Sequence, residues 1–89
     1  MRLDKFLKVS RLIKRRTVAK EVADQNRIKI NNKEAKAGTT VKPGDTLTIQ
    51  FGGNRTLVAQ INHIAVTAKK EEATEMYTIL KNEVTEQEL

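Results

Sequence analysis

The sequence has 89 residues, enough for one compact domain, and it contains no cysteine. Disulfide scaffolds, thiol nucleophiles and cysteine-ligated metals are therefore excluded. The net charge is +6, and no apolar run approaches the roughly 18 residues that a membrane-spanning helix needs, so we expect a cytoplasmic protein with no membrane partner.

The charge is distributed unevenly along the chain. Residues 1–36 carry twelve Lys and Arg against four Asp and Glu, whereas residues 71–89 carry one lysine against six glutamates. A well-mixed surface would spread these charges, so a basic front and an acidic tail favour a polyanionic partner for the front.

Two helices are predicted at the start of the chain. Leu3, Phe6 and Leu7 recur at i, i+3 and i+4, which is the spacing of one apolar helical face. A basic connector at residues 14–16 follows, and the Thr17 hydroxyl is predicted to cap the second helix. The second helix is predicted from a stripe of small apolar residues: Val18, Ala19, Val22 and Ala23.

After Asn26 the apolar period changes from 3.6 to 2, which predicts strands. Residues 28–30 and 47–51 alternate apolar and polar side chains, and a tight turn is expected at Asn31 and Asn32. Residues 52–54 (GGN) predict a second turn that returns the chain as an antiparallel hairpin.

The acidic tail is predicted to begin as a helix, from apolar residues at i, i+3, i+4 and i+7: Ala73, Met76, Tyr77 and Leu80. Residues 83–89 have few apolar side chains, and we expect them to fray. The fold prediction is α+β, with two short basic helices packed on a small, mainly antiparallel sheet and a short C-terminal acidic helix. One domain is expected to span residues 1–68, and the acidic helix and tail to span residues 69–89.

A cluster of cations is the strongest local signal, with only one acid, Asp4, in the same twenty residues. A solvated helix face is the alternative, but these cations are too many to pair internally. Arg15 and Arg16 also precede a helix N-terminus, where free amides already attract phosphate. We therefore predict nucleic-acid contact for this set: Arg2, Lys5, Lys8, Arg11, Lys14, Arg15, Arg16 and Lys20.

Catalysis is not indicated. His63 is the single histidine, which leaves it without a second tuned partner, and a strand-edge position is expected for it. Asp4 and Asp45 fit cap or turn positions better than general acid–base chemistry. We expect no enzyme, no cofactor and no metal.

RNA is favoured over DNA as the nucleic acid. The second helix displays Glu21 and Asp24, and two acids would be unfavourable in a DNA groove. The chain has only three aromatic residues, and two of them fit the core pattern, so a base-stacking platform is not expected. The binding mode that remains is recognition of RNA phosphates and of the shape of the RNA backbone.

Several short motifs in the first fifty residues occur in a familiar order: MRLDKFL at 1–7, Arg11-Leu12, KRRT at 14–17 with Ala19, RIKIN at 27–31, Lys36-Ala37 and VKPGD at 41–45. In this order they resemble the S-four-type RNA-binding domain. The resemblance implies a small module that binds structured rRNA or tRNA through its two-helix face and the following loop. The chain departs from the family at Asn26 and Asn32, where glycine is usual, and at Arg15, where serine is frequent; both asparagines keep access to left-handed backbone geometry.

With only a short acidic segment beside this module, the chain is similar to the P-site tRNA stabilizing factors of ribosome quality control, and to the fifteen-kilodalton heat-shock protein family. This resemblance implies binding to large-subunit rRNA and to peptidyl-tRNA in the P site of obstructed large subunits. It also implies a partner, an RqcH-type factor that adds C-terminal alanines, and a monomer off the ribosome. A general rRNA-binding assembly factor and the RNA-targeting subunit of a separate modifying enzyme remain open alternatives.

The resemblance also implies residue roles. Arg2, Lys5 and Arg16 would contact RNA phosphates, supported by the other five cations, whereas Asp4 would orient a nearby basic side chain because carboxylates repel phosphate. The core is predicted to contain Leu3, Phe6, Leu7, Val18, Val22, Ile28 and Ile30.

Overall fold

A computed structural model describes residues 1–52 and 54–84. Residue 84 is described by its backbone only. Its helices are α1 (Leu3–Val9), α2 (Arg16–Asp24) and α3 (Lys70–Ala73). Its strands are β1 (Ile28–Ile30), β2 (Lys33–Glu34), β3 (Thr46–Phe51), β4 (Arg55–Ile61) and β5 (Tyr77–Val84). No helix in these two ranges is long and apolar enough to cross a bilayer.

The strands form one antiparallel sheet in the order β2-β1-β3-β4-β5. The predicted hairpin is β3 and β4, in which Leu47 lies opposite Ala59. Its turn contains Asn54 at a φ of 65°, and Gly53 lies outside the described residues. The predicted α+β architecture, with short basic helices on a small antiparallel sheet and a short acidic helix, is confirmed.

The core lies between the two basic helices and one face of the sheet. Leu3, Phe6 and Leu7 are fully buried, as their helical spacing predicted. Alternate residues in β3 and β4 are also buried, which is the expected period of a one-sided sheet: Leu47, Ile49, Leu57, Ala59 and Ile61. The core cluster is Leu3, Phe6, Leu7, Ile13, Ala19, Ala23, Ile28, Ala35, Ala37, Val41, Leu47, Ile49, Leu57, Ile61 and Met76.

The core prediction for Val18 is wrong, because this side chain is 40% exposed. The buried residues of α2 are Ala19 and Ala23, one helical turn apart, so the stripe that packs inward is narrower than the sequence suggested. Val22 and Ile30 are only partly buried and pack at the margin of the core.

The connection between α1 and α2 is fixed by Ser10 and Arg11. Ser10 follows α1 and is buried, and its hydroxyl donates to the Leu7 carbonyl at 3.3 Å. Arg11 then adopts a left-handed backbone with a φ of 64°. The second helix begins at Arg16 with no side-chain cap, so the predicted capping role of Thr17 is wrong.

The asparagine turns form as predicted. Asn26, Asn31 and Asn32 have φ values of 62°, 51° and 69°, the region that asparagine tolerates better than other non-glycine residues. The Asn31 amide also donates to Asp45 at 3.0 Å and accepts from the Thr46 N–H at 3.0 Å. Asp45 therefore has the turn role that the sequence predicted.

The predicted tail helix over residues 73–80 is wrong. Only the four residues of α3 are helical, and residues 77–84 form β5 at the edge of the sheet. Tyr77 and Ile79 also fit the period of two that a strand requires. Ile79 pairs with Ala59 and Lys81 pairs with Val58, so Leu80 has no partner and forms a β-bulge. The bulge breaks the period of two after Ile79. The expected fraying is wrong for residues 83–84, which are paired with β4, while residues 85–89 lie outside the described residues.

Candidate nucleic-acid interface

Charged residues from both basic helices meet at Asp4. Nε of Arg2 donates to Asp4 Oδ1 at 3.1 Å, and Nε of Arg16 donates to Asp4 Oδ2 at 3.1 Å. The Lys5 N–H donates to Asp4 Oδ1 at 2.9 Å. The expectation that Asp4 orients a basic side chain is confirmed, and it orients two.

The burial of this cluster is asymmetric. The Asp4 side chain is 4% exposed, whereas the side chains of Arg2 and Arg16 are 55% and 46% exposed. Each guanidinium carries five N–H donors, and the described bonds to Asp4 use only part of them. The remaining donors are free to face an external anion, while the carboxylate stays beneath them.

The pKa of Asp4 lies below its ordinary value. Burial raises this pKa, but hydrogen bonds from Arg16 and Arg2, the charge of Arg16 and the Lys5 N–H lower it further than burial raises it. Asp4 is therefore ionised at neutral pH, and its charge holds the two guanidinium groups in place.

The loop at residues 37–41 lies beside this cluster. Backbone hydrogen bonds tie it to residues 1–4. A Cβ atom at Gly38 would stand 3.7 Å from a terminal nitrogen of Arg2, so the loop backbone runs close along that guanidinium. The loop thus places its own backbone at the margin of the cationic surface.

Lys36 extends the positive charge at the start of this loop. Its side chain is exposed, and its Nζ donates to the Asn26 side-chain oxygen. Lys36 is not among the eight predicted cations, although the Lys36-Ala37 pair belongs to the S-four-type motifs. Only the folded loop shows that it lies beside the helix end at Asn26.

A second group of cations surrounds a shallow depression. Lys8, Arg11 and Lys14 line it together with residues 66–68, from the connection between β4 and α3. The left-handed backbone of Arg11 turns the chain between Lys8 and Lys14. The sequence placed these three side chains in one set, and the fold brings them to one depression.

The other predicted cations lie around these two groups. Lys20 is one helical turn beyond Arg16 and shares its side of α2, whereas Arg15 is exposed at the position before that helix. Lys5 is half-buried on α1. Within residues 1–52 and 54–84, salt bridges are formed by Arg2 and Arg16 but by none of the other six predicted cations.

The structure shows no constellation suited to catalysis at His63. This side chain is exposed beyond the end of β4. In the described part of the chain, no three His, Asp or Glu side chains are grouped so that they could hold a metal ion. The charged surface is the site with an identifiable chemistry, which is anion binding.

Comparisons with known proteins agree with the fold and identify related proteins. Residues 1–47 match the S4 domain family, the S-four-type domain of the sequence analysis. The chain is 66% identical to the RQC P-site tRNA stabilizing factor of Bacillus subtilis, over 93% of this chain and 95% of that protein. It is 62% identical to the protein of the same name from Listeria innocua, over 98% of this chain and 94% of that protein.

Solved structures agree with the fold. The trimeric Heat Shock Protein 15 of Vibrio cholerae superposes with a TM-score of 0.80 at 26% identity, over 89% of this chain and 80% of that chain. A hypothetical protein determined in solution gives a TM-score of 0.76 at 27% identity, over 93% of this chain and all of that one.

Proposed function

This chain belongs to the S4 domain family, together with the bacterial proteins named RQC P-site tRNA stabilizing factor, and we propose that it is a non-enzymatic RNA-binding factor of ribosome quality control. It binds large-subunit rRNA and P-site peptidyl-tRNA on obstructed large subunits in the cytoplasm. By holding that tRNA, it supports C-terminal alanine tailing of the stalled chain by an RqcH-type factor.

The arrangement of Arg2 and Arg16 on Asp4 is the observation that carries this proposal. A guanidinium is a planar fork that can hold a phosphate through two parallel hydrogen bonds. A shared buried carboxylate fixes the positions of two such forks relative to each other. Two fixed forks suit two backbone phosphates of a structured RNA, whereas mobile lysines would recognise only charge.

In this proposal the two cation groups bind RNA at separate positions. The first contains Arg2 and Arg16, and the second contains Lys8, Arg11 and Lys14. A factor that stabilises a tRNA on a ribosome has to contact both RNAs, and two groups on adjoining elements meet that requirement. The proposed RNA contacts remain the eight predicted cations, to which we add Lys36.

The proposed function is tested by the sedimentation of the tagged full chain in sucrose gradients of cell extract. The chain should comigrate with mature large subunits that also contain tRNA, and it should leave them when the tRNA is released. Comigration with precursor particles that lack tRNA would instead identify a general assembly factor. Stable copurification with a modifying enzyme, together with absence from ribosomal fractions, would identify a targeting subunit.

A further inference from the structure

A groove lies between the α1–α2 connection and the sheet, next to the second cation group. Arg11 and Leu12 form one side of it, and side chains of the β3–β4–β5 edge form the other. Arg11 lines both this groove and the depression that contains Lys8 and Lys14. The groove is therefore continuous with the proposed RNA surface.

One wall of the groove presents a flat cation. The Arg55 guanidinium lies over the Phe51 ring, 5.0 Å from its centroid, and the two residues are opposite each other on β4 and β3. This stacking restrains the guanidinium plane. Arg55 is exposed, so the face of the guanidinium that is turned away from Phe51 is available to a second flat group.

The rest of the groove lining combines apolar and polar side chains. Ile79 is 44% exposed, and Tyr77 beside it is half-buried. Asn82 adds an amide that can donate and accept hydrogen bonds. No Asp or Glu is among the described residues that line the groove.

We propose that this groove binds one unpaired RNA nucleotide, with its base stacked on the Arg55 guanidinium and packed against Ile79, and its phosphate at Arg11. Unpaired bases commonly stack on aromatic rings and on arginine planes. The combination of a restrained plane, exposed apolar surface, an amide and two arginines fits the parts of a nucleotide. The proposal rests on the proposed function, because it assumes that the adjoining surface holds RNA.

The sequence predicted no base-stacking platform, because aromatic residues are scarce. In the fold, Phe51 and Tyr77 are only partly buried, and both lie on the side of the sheet that faces the groove. An arginine plane then serves as the stacking surface, which a count of aromatic residues does not reveal.

The experiment compares two RNA hairpins as ligands of the full chain. One hairpin carries a single unpaired 2-aminopurine, and the other is identical but fully paired. The wild type should bind the first hairpin about tenfold more tightly, since stacking of one base contributes about that factor. The 2-aminopurine fluorescence should also change on binding.

Two matched pairs of variants localise the effect. Ile79→Ser should abolish the preference for the unpaired base, whereas Leu80→Ser should keep it, because Leu80 is 55% exposed on the same strand but does not line the groove. Arg55→Gln should likewise reduce the preference, whereas Lys81→Gln removes one charge outside the groove and should not. Circular dichroism and melting of each variant check that it folds.

Each outcome decides the proposal. Equal, salt-sensitive binding of both hairpins by the wild type would overturn the nucleotide site while leaving the RNA-binding function intact. Absence of RNA binding to either hairpin and to large subunits would overturn both. If Ile79→Ser keeps the preference but loses a protein from large-subunit complexes, the groove holds a protein side chain and the proposal is wrong.

Discussion

Asp4 and Arg16 are twelve residues apart in the chain, yet Oδ2 of Asp4 and Nε of Arg16 are 3.1 Å apart. The same carboxylate holds Arg2, so one buried acid joins α1, α2 and the N-terminal residues. The acid is buried and both arginines are half-exposed. Asp4 therefore fixes the positions of the two guanidinium groups while its own negative charge stays away from the surface.

The first prediction concerns the charge of Asp4. Asp4→Asn keeps the size of the side chain but places an amide where two guanidinium groups need an anionic acceptor. We expect the free energy of unfolding to fall by about 1–3 kcal/mol, because the new amide N–H donors would be buried against two cations without an acceptor. Binding to large subunits should weaken as well, although the net positive charge increases. Urea unfolding and cosedimentation measure the two effects.

Asp24→Asn is the matched control for this change, because it removes an exposed acid at the end of α2. It should leave stability within about 0.5 kcal/mol and should not weaken RNA binding. If Asp4→Asn bound large subunits as tightly as Asp24→Asn, the positioning role of Asp4 would be refuted.

The second prediction concerns pH. The pKa of Asp4 is depressed in the folded chain, so its contribution is complete above the ordinary Asp value of about 3.9 and is lost as pH falls through the lower folded value. The difference in unfolding free energy between wild type and Asp4→Asn should therefore be constant near neutrality and shrink below about pH 4. Urea titrations of both proteins from pH 7 to the acid limit of folding measure it. A difference that stayed constant throughout would show that the charge of Asp4 contributes nothing.

The third prediction concerns the turn after β1. Asn31→Ala removes the bonds to Asp45 and to the Thr46 N–H, whereas Asn32→Ala removes no side-chain bond found in the described chain. Both positions have a positive φ, so both variants suffer the same backbone penalty. Asn31→Ala should be less stable than Asn32→Ala by about 1–3 kcal/mol in thermal or urea unfolding. Equal stability would mean that the bonds of Asn31 are not formed in solution.

The fourth prediction concerns salt. About five phosphate contacts give a slope of log K against log salt concentration of roughly −3.5 to −4.5. Arg16→Ala removes one proposed contact and should make this slope less steep by roughly 0.7–0.9. The slope is measured by titrating RNA binding at several salt concentrations. A nearly flat dependence for the wild type would exclude the cationic surface as the binding site.

Much of the fold could be predicted because local period and core packing agree in the first sixty residues. Leu3, Phe6 and Leu7 have helical spacing, and all three are fully buried on one face of α1. The β3–β4 hairpin alternates in the sequence and is buried in the same alternation. In the tail, local spacing and core packing disagreed. The helical spacing of residues 73–80 extends over the end of α3, a turn and the start of β5. Pairing with β4 made residues 77–84 a strand instead.

The candidate site was predictable in its residue types but not in its organisation. Eight cations in twenty residues could be read from the sequence, but their division into a group at Asp4 and a group around Arg11 depends on the crossing of two helices. Lys36 and Arg55 were missed because each is brought to the surface by a loop or strand distant in sequence.

The central claim is that Arg16, held by Asp4, binds RNA on the large subunit. It is tested most directly by the dissociation constant of Arg16→Ala for large subunits that carry P-site tRNA. Lys33→Ala is the control, because it removes the same charge from the exposed edge strand β2. We predict at least tenfold weaker binding for Arg16→Ala, in line with the loss of a charge-assisted hydrogen bond, and close to wild-type binding for Lys33→Ala. Equal affinity of the two variants, with both folded, would contradict the account.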